Sequence, residues 1–253
     1  MNQLVLWHGW GMHPAAWDGL TAQLTSQHGI TPQAQALPGY AGTAAPDTYT
    51  LDALVDVMLA DVSTPITLCG WSLGAMLALH AAQRHPDKIK RLILIGATPS
   101  FVQRPNWPHG MTPQALAEFT EAVGSDPKTA LKRFIALFNQ NDVNGRSIGR
   151  DLAHALATAE LPPGPILAAG LALLRDTDLR ALAPNITQPT LLLHGAHDPL
   201  MPLAAAQWLA AALPQARLAV LPDAAHAPFL SDPARCAAPV SYTHLTLPTN
   251  REV

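Results

Sequence analysis

Five short apolar runs, each ending at a glycine or a turn, dominate the sequence pattern. They are rich in Leu, Ile and Val and nearly continuous, which is typical of strands buried on both faces of a parallel sheet. The runs are residues 3–8, 66–70, 92–96, 190–195 and 217–221. Helical periods lie between them, at residues 15–27, 51–62, 73–85 and 202–213. This alternation predicts an α/β fold, with a mostly parallel sheet flanked by helices and joined by right-handed crossovers.

The middle third of the chain interrupts this alternation. No strand pattern is found between residues 99 and 184, and helical periods lie near residues 113–123, 127–139, 146–159 and 165–175. A helical block between two sheet strands predicts a cap, at residues 99–185, inserted into a core that comprises residues 1–98 and 186–238. Between residues 128 and 150 this block has five basic residues and one acidic residue, Asp142, although the whole chain has a net charge of −3.

The last part of the sequence does not continue the pattern. Ser231-Asp232-Pro233 marks the start of a closing helix, because a capping side chain precedes a proline in the first turn. Pro239 follows less than two turns later and is expected to end this helix. The threonine-rich stretch beyond it has neither helical periodicity nor an apolar face. The closing helix is therefore predicted to be truncated, and residues 239–253 to be non-native or disordered.

Composition excludes several classes of protein. Hydrophobic residues make up 49% of the 253 residues and charged residues 13%, which does not fit a disordered chain. A nucleic-acid binder would show a basic excess, and two cysteines are too few for a disulfide framework. The sequence shows no zinc-type Cys/His spacing, no secretory signal and no apolar run long enough for a membrane span. We therefore expect a cytoplasmic monomer that binds neither nucleic acid, membranes nor metal.

A G-x-S-x-G motif, GWSLG at residues 70–74, follows an apolar run and precedes a helical period. In this position the motif predicts a sharp strand-to-helix turn with a strained serine at its tip. The glycines would let strand and helix approach each other without Cβ clashes, so that the hydroxyl of Ser72 projects from the carboxyl edge of the sheet. The alternative is a structural serine at a tight turn, but the strand–turn–helix context favours a nucleophile.

A serine hydroxyl is a weak nucleophile unless a base removes its proton, and that base must be held by an acid. After such a turn the partners follow in the order Asp, His, at the ends of later strands. Asp198 follows the run TLLLHGAHD and His226 follows RLAVLPDAAH, so these residues are the predicted acid and base. Their neighbours His197 and Asp223 are weaker candidates and are expected to be exposed loop residues.

The first loop, HGWGM at residues 8–12, follows the first apolar run. Acyl transfer to a serine needs N–H donors that face the developing oxyanion, and the loss of one donor costs about 3 kcal/mol. The predicted pair is the backbone N–H of Leu73, at a helix N-terminus, and that of Trp10, in this glycine-rich loop. A plain strand-ending turn is the alternative interpretation of the loop.

Together these motifs resemble the α/β-hydrolase superfamily and, within it, the BioH-type pimeloyl-acyl-carrier-protein methyl ester esterases of biotin synthesis. The combination of GWSLG with HGWG and HAPF is fairly specific for this family, whereas G-x-S-x-G alone indicates only the superfamily. The other similar segments include ALPGYAGT, KRFIALF and HGAHDPLMP, and the resemblance covers residues 3–235. The leading antiparallel hairpin of many hydrolases is expected to be missing.

The resemblance implies a role for each matching residue and no metal or organic cofactor. The nucleophile, acid and base fall on Ser72, Asp198 and His226, and the oxyanion donors on Trp10 and Leu73. The residues implied in substrate binding are Trp10, Ser72, Leu73, Phe134, Ile135, Ala136, Leu137, Phe138 and His226. The residues implied in docking an acidic acyl-carrier protein, which would hold the substrate, are Arg133, Arg146 and Arg150.

The sequence therefore predicts a serine carboxylesterase that hydrolyses the methyl ester of a pimeloyl chain held on acyl-carrier protein. Two alternatives stay open. The first is a small-molecule carboxylesterase or lactonase without a carrier partner, in which the basic residues of the cap form an ordinary solvated face. The second is a non-catalytic ligand-binding relative. Such proteins usually lose part of the triad, and here all three residues are present.

Overall fold

The computed structural model describes residues 3–158 and 161–245. Within this part of the chain six strands form one sheet, in the order β2-β1-β3-β4-β5-β6, and all the pairings are parallel. The strands are β1 (Leu4–Trp7), β2 (Gln33–Gln35), β3 (Ile66–Trp71), β4 (Ile89–Ile95), β5 (Thr190–Gly195) and β6 (Ala216–Leu221). Strands β3 and β5 are buried along their whole length. The parallel sheet predicted from the continuous apolar runs is confirmed.

The described part of the chain also contains ten α-helices. Four of them lie between strands of the core: α1 (Asp18–His28), α2 (Leu51–Met58), α3 (Leu73–Arg84) and α8 (Leu203–Ala212). Two follow β6: α9 (Pro228–Ser231) and α10 (Pro233–Leu245). The other four lie between β4 and β5: α4 (Pro113–Ser125), α5 (Pro127–Phe138), α6 (Gly145–Thr158) and α7 (Gly164–Asp176). None of the described helices has the length and apolar character needed to cross a membrane.

The strand order brings two loops together at the centre of the sheet. The chain passes from β1 outward to β2 and then returns to β3 on the other side of β1. Right-handed crossovers in opposite directions place α1 and α3 on opposite faces of the sheet. Helix α1 packs against α10, and α3 packs against α2, so both faces are covered. The loops after β1 and β3 therefore meet at the switch point of the sheet, where α/β proteins bind their ligands.

Helices α4 to α7 form a continuous helical block. The side chains of Thr112 and Asp126 cap α4 and α5 by accepting the N–H of Ala115 and Thr129, and a proline follows each capping residue. The helices lie close to the positions that the sequence periodicity predicts. We propose that this block acts as a cap, with the domain bounds 1–98, 99–185 and 186–238 that the sequence suggests.

The closing helix differs from its prediction. Helix α10 runs through Pro239 to Leu245, although the proline lacks the N–H that would bond to the carbonyl of Arg235. Burial outweighs this loss, because Cys236 and Val240 lie in the core and α10 packs along α1. The expectation that the helix is truncated at Pro239 is therefore wrong. The rest of the predicted tail, residues 246–253, lies outside the described residues.

Candidate active site

The serine turn connects β3 to α3. Ser72 has a φ of 57°, in the left-handed region that non-glycine residues rarely adopt, and it is 6% exposed. Its N–H donates to the carbonyl of Ile95 on β4 over 3.0 Å. A Cβ on Gly70 would lie 2.2 Å from the carbonyl oxygen of Gly74, and one on Gly74 would lie 2.4 Å from a main-chain oxygen of β1. Both glycines are therefore required for the close approach of strand and helix.

Asp198 and His226 lie at the same sheet edge, in the loops after β5 and β6. The Nδ1–H of His226 donates to Oδ2 of Asp198 over 2.7 Å, and both side chains are buried. Oδ1 of Asp198 accepts the N–H groups of Leu200 and Met201, each over 2.9 Å. Burial favours the neutral carboxyl, but the charge and hydrogen bond of His226 outweigh it, and His194 and Met201 contribute as well. The pKa of Asp198 therefore lies below its ordinary value.

The second ring nitrogen of His226 is available to a reacting group. With the proton on Nδ1, the neutral ring presents Nε2 as an acceptor. Nε2 is buried and has no hydrogen-bond partner among the described residues. The structure thus brings Ser72, Asp198 and His226 to one edge of the sheet and joins acid to base, without a hydrogen bond between Ser72 and Nε2. In unliganded enzymes such bonds are often long and tighten only when substrate binds.

The peptide group of His226 is held from two sides. The indole Nε1–H of Trp71, the residue before Ser72, donates to the carbonyl of His226 over 3.0 Å. The N–H of His226 donates to the carbonyl of Phe138, at the end of α5, over 3.2 Å. Both the serine turn and the helical block therefore position the histidine.

The loop after β1 is held by a buried histidine to which the sequence analysis assigned no role. Nε2 of His8 accepts the N–H of Leu37 over 3.0 Å, and its Nδ1–H donates to the carbonyl of Gly9 over 2.9 Å. Burial lowers the pKa of His8 to about 4, so its ring is neutral near pH 7. The loop lies against the serine turn, since a Cβ on Gly9 would lie 3.1 Å from that of Ser72, just before the start of α3. There the N–H of Leu73 is one of the first helical donors, which have no acceptor within the helix.

The side chain of Trp10 reaches from this loop into the helical block. Its indole N–H donates to the carbonyl of Leu167 in α7 over 2.9 Å. Its ring makes edge contacts with Phe119 of α4 and Phe134 of α5, with centroids 5.4 and 5.3 Å apart. Trp10 is 1% exposed. Trp10 is therefore held by three helices of the block.

A family model described as the alpha/beta hydrolase family matches residues 4–238. The chain belongs to this family. A pimeloyl-acyl-carrier-protein methyl ester esterase from Aromatoleum aromaticum is 46% identical over 239 residues, which cover 92% of this hydrolase and 94% of the relative. An esterase of the same name from Nitrosomonas europaea is 35% identical over 91% of this hydrolase and 90% of the relative.

Solved structures agree with this assignment. An esterase from Exiguobacterium antarcticum has a TM-score of 0.84 to this hydrolase at 25% sequence identity, over 96% of this chain and 92% of that chain. The resemblance stated from the sequence motifs, and the α/β-hydrolase fold that it implies, are confirmed.

The side chains of residues 134–138, on α5, point in different directions. Phe134 and Phe138 are buried, and the ring of Phe138 lies 5.9 Å from that of His226. Ala136 and Leu137 lie on the other side of α5, and Leu137 is 40% exposed. Successive side chains on a helix are about 100° apart, so five consecutive residues cannot all face one site. The expectation that the whole segment contacts substrate therefore does not hold for Ala136 and Leu137.

An open groove of about 810 Å³ runs between α5 and α6 on the outer side of the block. The exposed basic residues Lys132, Arg146 and Arg150 line it, and Ile135 lies at its floor. Arg133 is exposed on α5 but lies outside this lining. The structure thus brings two of the three predicted docking arginines into one groove.

A second histidine contacts Asp198, and sequence reasoning missed it. Nε2 of His194, on β5, donates to the carbonyl of Met201 over 2.7 Å and lies 3.5 Å from Oδ2 of Asp198. Burial lowers the pKa of His194 and keeps its ring neutral. His197 and Asp223 are exposed, as expected. Residues 3–158 and 161–245 contain no group of three or more His, Cys, Asp or Glu side chains arranged to hold a metal ion.

Replacement of Gly170 by alanine is expected to displace Trp10. The added Cβ would lie 2.5 Å from Cδ1 of the indole, and such overpacking costs about 1–3 kcal/mol. Alanine alone would stabilise a helix by about 1 kcal/mol relative to glycine. We therefore expect Gly170→Ala to lower the melting temperature and to reduce kcat about tenfold, because small displacements at a catalytic edge are costly.

The matched control is Gly124→Ala in α4, where an added Cβ meets no atom within 4 Å. This variant should be as stable as the wild type or more so, with unchanged kcat. Thermal unfolding and ester hydrolysis of both variants provide the measurement. A Gly170→Ala variant that is stabilised like the control would show that Trp10 is not fixed by α7.

Proposed function

We propose that this hydrolase cleaves the methyl ester of pimeloyl-acyl-carrier protein through a serine nucleophile, releasing methanol. The observation that carries the proposal is the buried bond between Asp198 and His226 beside the strained serine turn. A carboxylate, an imidazole with a free acceptor nitrogen and a serine on a sharp turn are the groups that ester hydrolysis by acyl transfer requires. The curated relatives carry the name of the same reaction.

The proposed reaction assigns one role to each group. The hydroxyl of Ser72 attacks the ester carbonyl while Nε2 of His226 takes its proton. Asp198 holds the productive tautomer and stabilises the imidazolium that forms. The N–H groups of Trp10 and Leu73 stabilise the oxyanion. The imidazolium then protonates the leaving methanol, and a water molecule, activated by the same histidine, hydrolyses the acyl-enzyme to the free acid.

Two features of the helical block support a carrier-bound substrate. Phe134 and Phe138 form an apolar surface between Trp10 and His226, and we propose that this surface contacts the acyl chain. On the outer side, Arg146 and Arg150 line the groove between α5 and α6. A basic groove favours the approach of an acidic carrier protein by electrostatic steering.

Neutralisation of the groove tests the carrier partner. In the double variant Arg146→Gln/Arg150→Gln, kcat/KM for the carrier-bound methyl ester is expected to fall about tenfold or more at low salt, because steering and rim contacts are lost. The kcat/KM for a short free methyl ester should stay within twofold of the wild-type value. Steady-state hydrolysis of both esters by the full-length protein provides the measurement.

The matched control is Arg175→Gln/Arg235→Gln, which removes two exposed charges outside the groove. This variant should hydrolyse both esters with the kcat/KM of the wild type. Equal losses on both esters in the groove variant would contradict carrier docking and favour a small-molecule esterase or lactonase.

A further inference from the structure

The loop between α5 and α6 is joined to the loop that carries His226. We call residues 139–144 the cap loop and residues 222–227 the histidine loop. The N–H of Val143 in the cap loop donates to the carbonyl of Asp223 over 3.0 Å. The N–H of Ala225 in the histidine loop donates to Oδ2 of Asp142 over 2.8 Å. Hydrogen bonds therefore run in both directions between the two loops.

Asp142 is the centre of this junction. Besides Ala225, its carboxylate accepts the hydroxyl of Ser231, at the end of α9, over 2.7 Å, and the N–H of Asn144 over 2.8 Å. The side chain of Asn144 in turn donates to the carbonyl of Ser231 over 2.9 Å. Three donors from two parts of the chain thus converge on one carboxylate. Hydrogen bonds to an ionised acceptor are about twice as strong as those between neutral groups.

The junction lies directly beside the catalytic base. Ala225 precedes His226, whose own N–H donates to the carbonyl of Phe138, at the end of α5. Two consecutive N–H groups of the histidine loop are therefore held by the helical block. On its other side, the carbonyl of His226 accepts the indole N–H of Trp71. Without Asp142, the N–H of Ala225, the residue before His226, loses its acceptor.

We propose that Asp142 is a positioning residue that holds the histidine loop, so that Nε2 of His226 meets the hydroxyl of Ser72. The inference rests on the proposed function, because it assigns the role of base to His226. Asp142 does not touch the reacting atoms, and it acts through the backbone of Ala225. A displacement of about 1 Å at a catalytic group lowers the rate about 100-fold. A loosened loop is therefore expected to lower kcat strongly and to change KM little.

The test variant is Asp142→Asn, which keeps the size of the side chain. An amide has one oxygen and one NH₂ group, so one of the two backbone N–H groups, of Ala225 or Asn144, then faces another donor. We expect kcat for a short free ester to fall between about 10-fold and 100-fold, with KM within twofold of the wild-type value. Asp223→Asn is the matched control. It removes the same charge from an exposed position in the histidine loop and should keep the wild-type kcat and KM.

A spectroscopic measurement separates positioning from general destabilisation. The proton between Nδ1 of His226 and Asp198 gives an NMR resonance far downfield of the backbone amides. In Asp142→Asn this resonance should broaden or shift at temperatures where the variant is fully folded, whereas Asp223→Asn should retain it. An unchanged resonance together with wild-type kcat overturns the inference. Because the resonance does not depend on ester hydrolysis, a wild-type protein that keeps it but hydrolyses no ester contradicts the proposed function instead.

If Asp142→Asn does not fold, Ser231→Ala tests the positioning role of Asp142 instead. This variant removes a hydroxyl that fixes the carboxylate of Asp142, so Asp142 keeps its charge but holds the N–H of Ala225 less firmly. We expect a threefold to tenfold lower kcat at unchanged KM, because a change of this size corresponds to the net contribution of about one hydrogen bond. Wild-type kcat in this folded variant overturns the inference.

Discussion

Replacement of Ser72 by alanine is expected to lower kcat for ester hydrolysis by about 10⁴-fold to 10⁶-fold. The variant lacks the proposed nucleophile, while the N–H groups of Trp10 and Leu73 remain. The fold should persist, because the turn depends on the glycines at both ends of the motif and alanine keeps the Cβ of Ser72. The measurement is kcat, together with the melting temperature and the mass of the protein after treatment with an organophosphonate.

Labelling makes this result specific for the nucleophile. The wild-type protein should gain one adduct on Ser72, and Ser72→Ala should gain none. Ser147→Ala, which changes an exposed serine in α6, should keep both activity and labelling. A folded wild-type protein that stays unlabelled would favour the non-catalytic alternative. More than one per cent residual activity in Ser72→Ala would assign the nucleophile elsewhere.

Replacement of Asp198 by asparagine is expected to lower kcat about 10⁴-fold. Oδ1 of Asp198 accepts two backbone N–H groups, so the amide oxygen of the variant stays at that position. The NH₂ group then faces Nδ1 of His226 and donates to it. The imidazole proton consequently moves to Nε2, which can no longer accept the proton of Ser72. The change affects the tautomer of the base while the geometry of the site is kept.

The control for this prediction is Asp223→Asn, which changes an exposed carboxylate in the histidine loop. It should retain wild-type kcat. Melting temperatures of both variants show whether each is folded under the assay conditions. A folded Asp198→Asn variant with kcat within tenfold of the wild type would contradict the assignment of Asp198 as the acid.

The parts of the site that the sequence predicts are those set by local geometry. The close approach at Gly70 is made within the motif itself, so the motif alone predicts the serine turn, whereas the contact of Gly74 with β1 depends on the fold. The positions of Asp198 and His226 follow from the ends of two apolar runs, because parallel strands present their carboxyl ends at one edge. Their hydrogen bond could be expected from this arrangement, whereas their roles in the reaction stay proposals.

The elements that the sequence does not predict depend on tertiary context. Strand β2, Gln33–Gln35, is polar and largely exposed because it lies at the edge of the sheet, so it shows no apolar run. Helix α10 continues past Pro239 because its buried side chains pack on the core, a stabilisation that local propensity does not include.

The supporting polar residues of the site were missed for a related reason. Asp142 bonds to a residue 83 positions away, and His8 bonds to one 29 positions away. Pairs of this kind leave no spacing signal in a single sequence. In the sequence Asp142 appears only as the one acidic residue in a basic stretch, and only the fold shows what its carboxylate binds.

The helical block is attached to the core through the catalytic edge itself. The bond from Trp10 to Leu167 and the bond from His226 to Phe138 join it to the loop after β1 and to the histidine loop. A rigid-body movement of the helical block away from the core would break both hydrogen bonds. It would also remove the restraints that they place on Trp10 and His226. We therefore expect substrate to enter while the block stays docked. An exchange of this block between related enzymes would therefore also replace the contacts that hold Trp10 and His226.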